Sequence, residues 1–261
     1  MKALLLTIFI LLAASRGYSG SGDAGPAIGS QFPERGVKSL LGPKGALILV
    51  DASAGKTHEI EENREAMHKL GLGIGAVPSK IHPGWYVLDA RGIIVAKYFD
   101  DTARYSPAAV LVHQFGWTPP DLPTEVEGKQ LTAKTGESDN TVAPGQRVTL
   151  ILDVELNPGM HVYAPGVEGY IPIDWKMQES PAAVLHEPVF PRSQKLFLKA
   201  IGETVPAYRN HFRLTRDIAI GRVADGAGKL TLHGSLRYQA CDDRVCYIPQ
   251  ELRLAWTVLV P

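Results

Sequence analysis

The chain has 261 residues with equal numbers of acidic and basic side chains, and so carries no formal net charge at pH 7. A neutral chain lacks the positive surface that attracts nucleic acid or anionic membranes, and neither is expected as a partner. The length suffices for one or two domains, and the apolar fraction of 45% is ample for a packed core.

The N-terminus has the pattern of a secretory signal peptide. Met1 and Lys2 precede an apolar run, Ala3 to Ala14, which small residues follow. The run is shorter than the roughly 20 residues that a membrane-spanning helix needs. We therefore predict a signal peptide over residues 1–20, a periplasmic or secreted location, and no membrane span after its removal; a retained N-terminal anchor is the alternative. Two cysteines can form a disulfide in such an oxidising compartment.

Residues 25–118 predict a small α/β domain. Its expected elements are a buried strand, a helix, two hairpin strands and a second helix, at 45–50, 57–70, 85–88, 93–99 and 106–115. The first strand is a continuous apolar run, and the last helix has Ser106 as its cap and Pro107 at its first position. The glycines at 71, 73 and 75 are expected to lie in turns, since they follow a helix.

This order of elements resembles the thioredoxin/peroxiredoxin-like fold. The resemblance is carried by Gly45 to Val50 and by the hairpin His82 to Gly92, in which Pro83 occupies the place of that family's cis-proline. It implies a reactive cysteine after Val50, but residues 51–55 contain none. We therefore predict a shortened, degenerate thioredoxin-like domain without redox cysteines, serving as a docking or spacer module. A small α/β domain of other ancestry is the alternative.

The second half of the chain has a different sequence pattern. Residues 119–145 begin with three closely spaced prolines and continue with polar turn formers, which predicts a linker. Apolar and polar residues then alternate with the period of a strand in several runs: 148–156, 161–163, 174–177, 212–220, 229–240 and 252–260. Short strands separated by turn residues, with almost no helical period, predict an all-β sandwich over residues 146–261.

The only two cysteines, Cys241 and Cys246, lie between the last two strands with four residues between them. Continued alternation places Cys241 on the polar face of its strand. If Asp243 and Arg244 form the tip of a tight hairpin, the cysteines face each other at a Cα separation of roughly 4.5–5.5 Å, which a disulfide can span. A bridge closing so short a loop stabilises a fold by only about 2 kcal/mol. We therefore favour a pair that opens and closes over a structural staple.

The second half resembles the N-terminal domain of the thiol:disulfide interchange protein DsbD. Three segments carry the resemblance: Leu156 to Tyr163, Gly169 to Pro172, and Tyr238 to Pro249. It implies an immunoglobulin-like fold that passes electrons from a membrane reductase to periplasmic proteins through a cysteine pair under a cap loop. The chain departs from the family pattern in the spacing of its cysteines. Four residues separate them here, whereas five separate the cysteines of a DsbD domain.

The resemblance implies a cysteine pair and a cap loop, to which we add two nearby tyrosines as candidate site residues. The full set is two catalytic cysteines and five shielding residues: Cys241, Cys246, Ile201, Gly202, Glu203, Tyr163 and Tyr238. The cap loop would occupy residues 199–204. Tyr163 and Tyr238 are expected to pack around the cysteines or hydrogen-bond to them, and ordinary core packing is the alternative for both.

Thiol–disulfide exchange needs an attacking thiolate and a resolving thiol. Arg244 favours a thiolate at Cys246, whereas Asp242 and Asp243 disfavour one at Cys241, so Cys246 is the predicted attacking sulfur. The expected activity is protein disulfide interchange. The expected partners are thioredoxin-like periplasmic proteins and, as a further candidate, a membrane thiol reductase, with no small-molecule cofactor.

Two other interpretations remain open. The bridge is inert in many secreted sandwiches, and the chain would then be a binding or interaction module. The cysteines also suggest a metal site with His161, His211 or His233, although cysteine ligands usually stand closer together in sequence. Because the two cysteines are too far apart in sequence for a typical ligand pair, no bound metal is expected.

Overall fold

The structure is a computed structural model. It describes residues 25–50, 57–77, 81–99, 104–119, 124–198, 202–221 and 228–261. The predicted signal peptide, residues 1–20, lies outside the described residues.

The first half is built on a four-stranded mixed sheet. Its elements are a short 3₁₀ helix (Arg35–Leu40), β1 (Gly45–Val50), α1 (Thr57–Lys69), β2 (Leu72–Val77), β3 (Gly84–Leu88), β4 (Ile94–Tyr98), β5 (Arg104–Tyr105) and α2 (Pro107–Phe115). The strand order is β2-β1-β3-β4, with β1 parallel to β2 and antiparallel to β3. All six residues of β1 are buried, because apolar clusters pack on both faces of this sheet.

One expectation for this half is wrong, and one feature of the family that it resembles is absent from the described residues. Gly73 and Gly75 lie inside β2 instead of in turns. A Cβ on Gly73 would overlap the carbonyl oxygen of Leu40, so glycine lets the end of the 3₁₀ helix pack directly on the strand. The peptide bond before Pro83 is trans, since the described residues contain no cis peptide bond.

Helix α2 begins where the sequence predicts. The Ser106 hydroxyl accepts a hydrogen bond from the Ala109 amide at 3.0 Å, and Pro107 occupies the first turn. Gly116 ends the helix in the left-handed conformation, at φ 60°.

A largely buried carboxylate, Asp217, whose side chain is 11% exposed, joins α2 to the second half of the chain. Asp217 accepts hydrogen bonds from the hydroxyls of Tyr105 (2.7 Å) and Thr149 (2.8 Å), and His113 Nε2 lies 2.7 Å from the same carboxylate. Burial alone would raise the pKa of Asp217, but His113 and these hydrogen bonds lower it to about 2. The contact therefore holds a charged group inside the junction between the two halves.

The second half is a β-sandwich, as predicted. Its strands are β6 (Thr124–Glu127), β7 (Leu131–Glu137), β8 (Gln146–Leu156), β9 (His161–Tyr163), β10 (Asp174–Met177), β11 (Ala183–Val189), β12 (Gln194–Leu198), β13 (Glu203–Arg209), β14 (His211–Ile220), β15 (Lys229–Tyr238), β16 (Ala240–Cys241) and β17 (Gln250–Leu259). One sheet has the order β11-β14-β8-β7-β6, with β5 added beside β8; the second is β10-β15-β17. The main core lies between them, where Trp175 stacks on Trp256 with ring centroids 5.2 Å apart. A third sheet, β12-β13-β9-β16, carries Cys241, and Cys246 pairs with Cys241 as an isolated bridge at its edge.

Part of the expected linker is regular structure. Residues 124–137, placed by sequence within the linker 119–145, form β6 and β7, and β7 pairs antiparallel with β8. The inward positions of β7 include Ala133 and Thr135, both fully buried. Their small or polar side chains gave the segment too weak a hydropathy to be recognised as a strand.

Candidate functional site

The two cysteines form a disulfide across a tight turn. Their Cα atoms are 4.0 Å apart, and the two residues pair as an antiparallel bridge. The Asp242 amide donates to the Val245 carbonyl at 3.0 Å. This is the hairpin predicted from the sequence, with Asp243 and Arg244 at its tip.

Asp242 fixes the conformation of this turn. One carboxylate oxygen accepts hydrogen bonds from the amides of Arg244 (2.7 Å) and Val245 (2.8 Å), and the other accepts one from the Tyr247 hydroxyl at 2.9 Å. The Val245 and Arg244 amides and then the Tyr247 hydroxyl lower the pKa of Asp242, so the side chain is a carboxylate at neutral pH. A charged acceptor of three hydrogen bonds holds the two cysteines in register.

The two sulfurs differ in their access to solvent. Cys241 is 1% exposed, whereas Cys246 is exposed. The expectation that Cys241 lies on a polar face is wrong, because the chain changes sheets at Gln239. β15 pairs with β17, but β16 pairs with β9 on one side and with Cys246 on the other. The change turns Cys241 inward and leaves Cys246 at the edge of the sheet.

One face of the third sheet forms a cleft beside the disulfide. Cys241 pairs with His161, and His161 pairs with Arg209, so the three side chains share this face. Tyr163 follows two positions along β9 on the same face, while Val162 between them packs into the main core. The cleft has a volume of about 430 Å³. Its lining is His161, Tyr163, Tyr170, Leu196, Phe197, Leu198, Arg209 and residues 241–246.

The hydroxyl of Tyr163 contacts both sulfurs. It lies 3.6 Å from Cys246 Sγ and 3.7 Å from Cys241 Sγ. Because neither sulfur of a disulfide carries a proton, the hydroxyl is the donor. Tyr163 is buried, and its ring packs against that of Tyr170 at a centroid distance of 4.4 Å. Burial and then the nearby Glu203 raise the pKa of Tyr163, which keeps the hydroxyl protonated.

The hairpin of β12 and β13 covers the buried sulfur. Val205, Leu196 and Leu198 pack with Tyr163 and Cys241 in a small apolar cluster. β12 is not among the strands predicted from the sequence. Leu196 and Leu198 stand two positions apart, which is the strand period that would have indicated it.

The end of this hairpin is the segment expected to form the cap. Ile201 lies outside the described residues, whereas Gly202 and Glu203 are exposed, and Glu203 begins β13. The Glu203 carboxylate accepts a hydrogen bond of 2.7 Å from Tyr170, and this bond raises the pKa of Tyr170 to about 12. Glu203 is thus linked to the cleft through Tyr170, which is not among the predicted site residues.

Tyr238 lies away from the cleft. Its side chain is fully buried in the main core, and its hydroxyl is next to Gly128 in the turn between β6 and β7. Ordinary core packing, the alternative stated for this residue, therefore describes its position. Of the two tyrosines expected beside the cysteines, the structure brings only Tyr163 to them.

The histidines considered as metal ligands are dispersed. His161 lies in the cleft, whereas His211 contacts Asp153 at 3.2 Å and His233 lines a separate cavity. Across the described ranges, no group of three or more His, Cys, Asp or Glu side chains is arranged to hold a metal ion.

The helices of the described residues are all too short or too polar to span a membrane.

One protein family matches most of the second half of the chain. Residues 130–256, just under half of the chain, match the family described as thiol:disulfide interchange protein DsbD, N-terminal. No curated protein sequence matches the chain.

Two solved structures are similar in part. The N-terminal periplasmic domain of ScsB from Proteus mirabilis is 17% identical, with 53% of this chain and 48% of that chain covered and a TM-score of 0.36. The chain thus spans about half of that domain. The N-terminal domain of Neisseria meningitidis DsbD, in the reduced form, is also 17% identical, with 41% of this chain and 74% of that chain covered and a TM-score of 0.30.

Proposed function

We propose that this protein carries out thiol–disulfide exchange, passing electrons between protein partners through Cys241 and Cys246. The observation that carries the proposal is the asymmetric disulfide at the edge of a sheet. Cys246 is open to attack, Cys241 is buried behind it, and the Tyr163 hydroxyl contacts both sulfurs. The match of residues 130–256 to the DsbD N-terminal family supports the same chemistry.

The geometry suggests an order of events. In the oxidised protein, a partner thiolate attacks Cys246 Sγ, the bond between the cysteines breaks, and Cys241 leaves as a thiolate. The Tyr163 hydroxyl donates a hydrogen bond to the sulfur that acquires negative charge. In the opposite direction, Cys246 attacks a partner disulfide and Cys241 resolves the mixed disulfide. Cys246 is therefore the attacking sulfur in this proposal, as the neighbouring charges also predict.

The surroundings of Cys246 fit a protein partner. Phe197, Val245 and Ile248 are large apolar side chains that are more than half exposed, and the first two line the cleft. Apolar residues around a reactive group are typical of surfaces that dock other proteins. We propose thioredoxin-like proteins as partners, with a membrane thiol reductase as a further candidate and a periplasmic or secreted location.

We propose an immunoglobulin-like fold for residues 146–261 and a thioredoxin-like fold, without redox cysteines, for residues 25–118. The sheet order β2-β1-β3-β4, with one parallel pair and an antiparallel hairpin, supports the second assignment. The division at residues 119–145 remains part of the proposal, amended by the two strands found at 124–137. The first half would then act as a docking or spacer module.

An inert disulfide is the second candidate. The burial of Cys241 favours it, because a shielded bridge resists reduction. In that case the chain would be a secreted binding or interaction module. The reduction potential separates the two, since structural disulfides typically lie below about −300 mV.

Trapping with single-cysteine variants tests the proposal. Cys241→Ser leaves the exposed sulfur without its resolving partner, so mixed disulfides with other proteins should accumulate and disappear on reduction. Cys246→Ser is the matched control, because it leaves only the buried sulfur and should trap far less. A potential below about −300 mV together with no adduct on Cys241→Ser would establish the inert disulfide instead.

A further inference from the structure

The buried ring nitrogen Nε2 of His161, in the cleft, has no role in the exchange chemistry described above. His161 is 3% exposed, and its Nε2 has no hydrogen-bond partner within the described residues. Buried polar atoms in native proteins nearly always have a hydrogen-bond partner, so an unpaired one needs a physical explanation.

The position of His161 supplies that reason. His161 is the direct cross-strand partner of Cys241, and the side chains of such partners point to the same face with Cβ atoms about 4.5–5.5 Å apart. Cys241 has Cys246 on its other side. The imidazole also meets the ring of Tyr163 edge-on, at a centroid distance of 5.5 Å. His161 therefore flanks the buried sulfur on the side away from the exposed one.

Cys241 needs help to ionise. It must lose its proton before it can resolve a mixed disulfide held on Cys246, because the thiolate is the nucleophile. A thiol buried among apolar side chains gives up its proton less readily, and Asp242 and Asp243 nearby add negative charge. At 1% exposure, water has little access to this sulfur as an alternative proton acceptor.

We propose that His161 is the proton acceptor for Cys241 in the resolving step, an inference that rests on the proposed exchange function. His161 Nε2 takes the thiol proton, and the Cys241 thiolate attacks Cys246 Sγ. The bond between Cys241 and Cys246 forms as the bond between Cys246 and the partner sulfur breaks, and the partner leaves as a thiolate. Over the attack and resolving steps together, the cysteine pair is oxidised by two electrons and the partner disulfide is reduced by two to a pair of thiols. In the reverse reaction, protonated His161 returns the proton to Cys241.

The charges around His161 are compatible with its role as a proton acceptor. Burial and then Arg209 lower the pKa of His161, while Asp243 and Asp242 on the cysteine hairpin oppose them. A lowered pKa favours the neutral imidazole at pH 7, which has a lone pair available for a proton. Among the residues that the structure describes, the other ionisable side chains at this face are Tyr163, Tyr170, Arg244 and Glu203.

The two thiol steps can be observed separately with 5,5′-dithiobis(2-nitrobenzoate). Attack by Cys246 on this reagent releases one thionitrobenzoate, and resolution by Cys241 releases a second. Stopped-flow mixing of the reduced full chain, at reagent concentrations where the first release is fast, resolves the two phases. Cys241→Ser should abolish the second phase, which assigns it.

His161→Gln should slow the second phase at pH 7 by at least about tenfold, in keeping with proton transfer by a positioned side chain. It should leave the rate of the first phase essentially unchanged. The deficit should shrink steadily as the pH rises from 7 to about 10, because hydroxide increasingly ionises the thiol without assistance, and a buried thiol needs a higher pH for this than the ordinary thiol value of about 8.5. His233→Gln, a histidine exposed on β15, is the matched control and should leave both phases at wild-type rates.

A second phase that is unchanged in His161→Gln would overturn the inference. So would a second phase slowed equally at every pH, because displacement of Cys241 has that effect without any proton transfer. Failure of the proposed function is distinguishable from both. The wild type would then complete both phases with the reagent but exchange with no protein disulfide.

Discussion

Replacing Tyr163 by Phe removes a hydroxyl that contacts both sulfurs while keeping the ring that packs in the cleft. In the oxidised protein this hydroxyl lies 3.6 and 3.7 Å from the two Sγ atoms. When an external thiol attacks Cys246, negative charge develops on Cys241, and the hydroxyl becomes a donor to that charge. Tyr163→Phe should therefore slow reduction of the disulfide.

The size of the effect follows from the contact distances. Hydrogen bonds to charged groups contribute about 1.5–3 kcal/mol. Because both contacts of Tyr163 are long, we expect a loss near the lower end of this range, which corresponds to roughly a tenfold slower reaction. The assay is reduction by excess dithiothreitol at pH 7, quenched with acid and followed by the gel shift of maleimide-labelled thiols.

Tyr208→Phe provides the matched control. Tyr208 is also buried, but its hydroxyl donates to the Pro191 carbonyl at 2.9 Å and has no contact with sulfur. Its loss should affect stability without changing the reduction rate. A Tyr163→Phe variant that is folded and reduced at the wild-type rate would refute the proposed role, as would an equal slowing in both variants.

Two further predictions concern the turn and the junction between the halves. Asp242→Ala removes the acceptor for two backbone amides and Tyr247, so the cysteines should be held in register less often. The equilibrium constant for closing the disulfide, measured in glutathione buffers, should fall about fivefold, whereas Asp243→Ala should leave it near wild type. For Asp217, a pKa lowered from 3.8 to about 2 in the folded state stabilises the protein above about pH 4, and this contribution is lost as pH falls toward 2. Urea unfolding should thus show the stability gap between wild type and Asp217→Asn shrinking by about 2 kcal/mol between pH 5 and pH 2; a constant gap would contradict the assignment.

Local patterns in the sequence determine much of this protein. The apolar run at Gly45–Val50 predicts a strand buried on both faces, and period-two alternation predicts most of the long strands of the sandwich. The tip at Asp243 and Arg244 places the cysteines opposite each other. These features depend on neighbours in the chain, so they can be read without knowing the fold.

Other features depend on packing between distant segments. Glycines inside β2 resemble a turn until the 3₁₀ helix is seen to pack against them, and the small or polar inward residues of β7 conceal a strand. Alternation along β15 places Cys241 on the wrong face, because the strand ends at Tyr238 and the chain enters another sheet.

The sequence by itself determined that two sulfurs meet across a tight hairpin, since the turn residues and their spacing specify it. The tertiary structure alone decided that one sulfur is buried and the other exposed, because only the pairing of β16 with β9 sets which side of the hairpin faces the protein. It also brought Tyr163 and His161 to the cysteines from about 80 residues away in the chain, a proximity that sheet pairing creates and that no local pattern encodes.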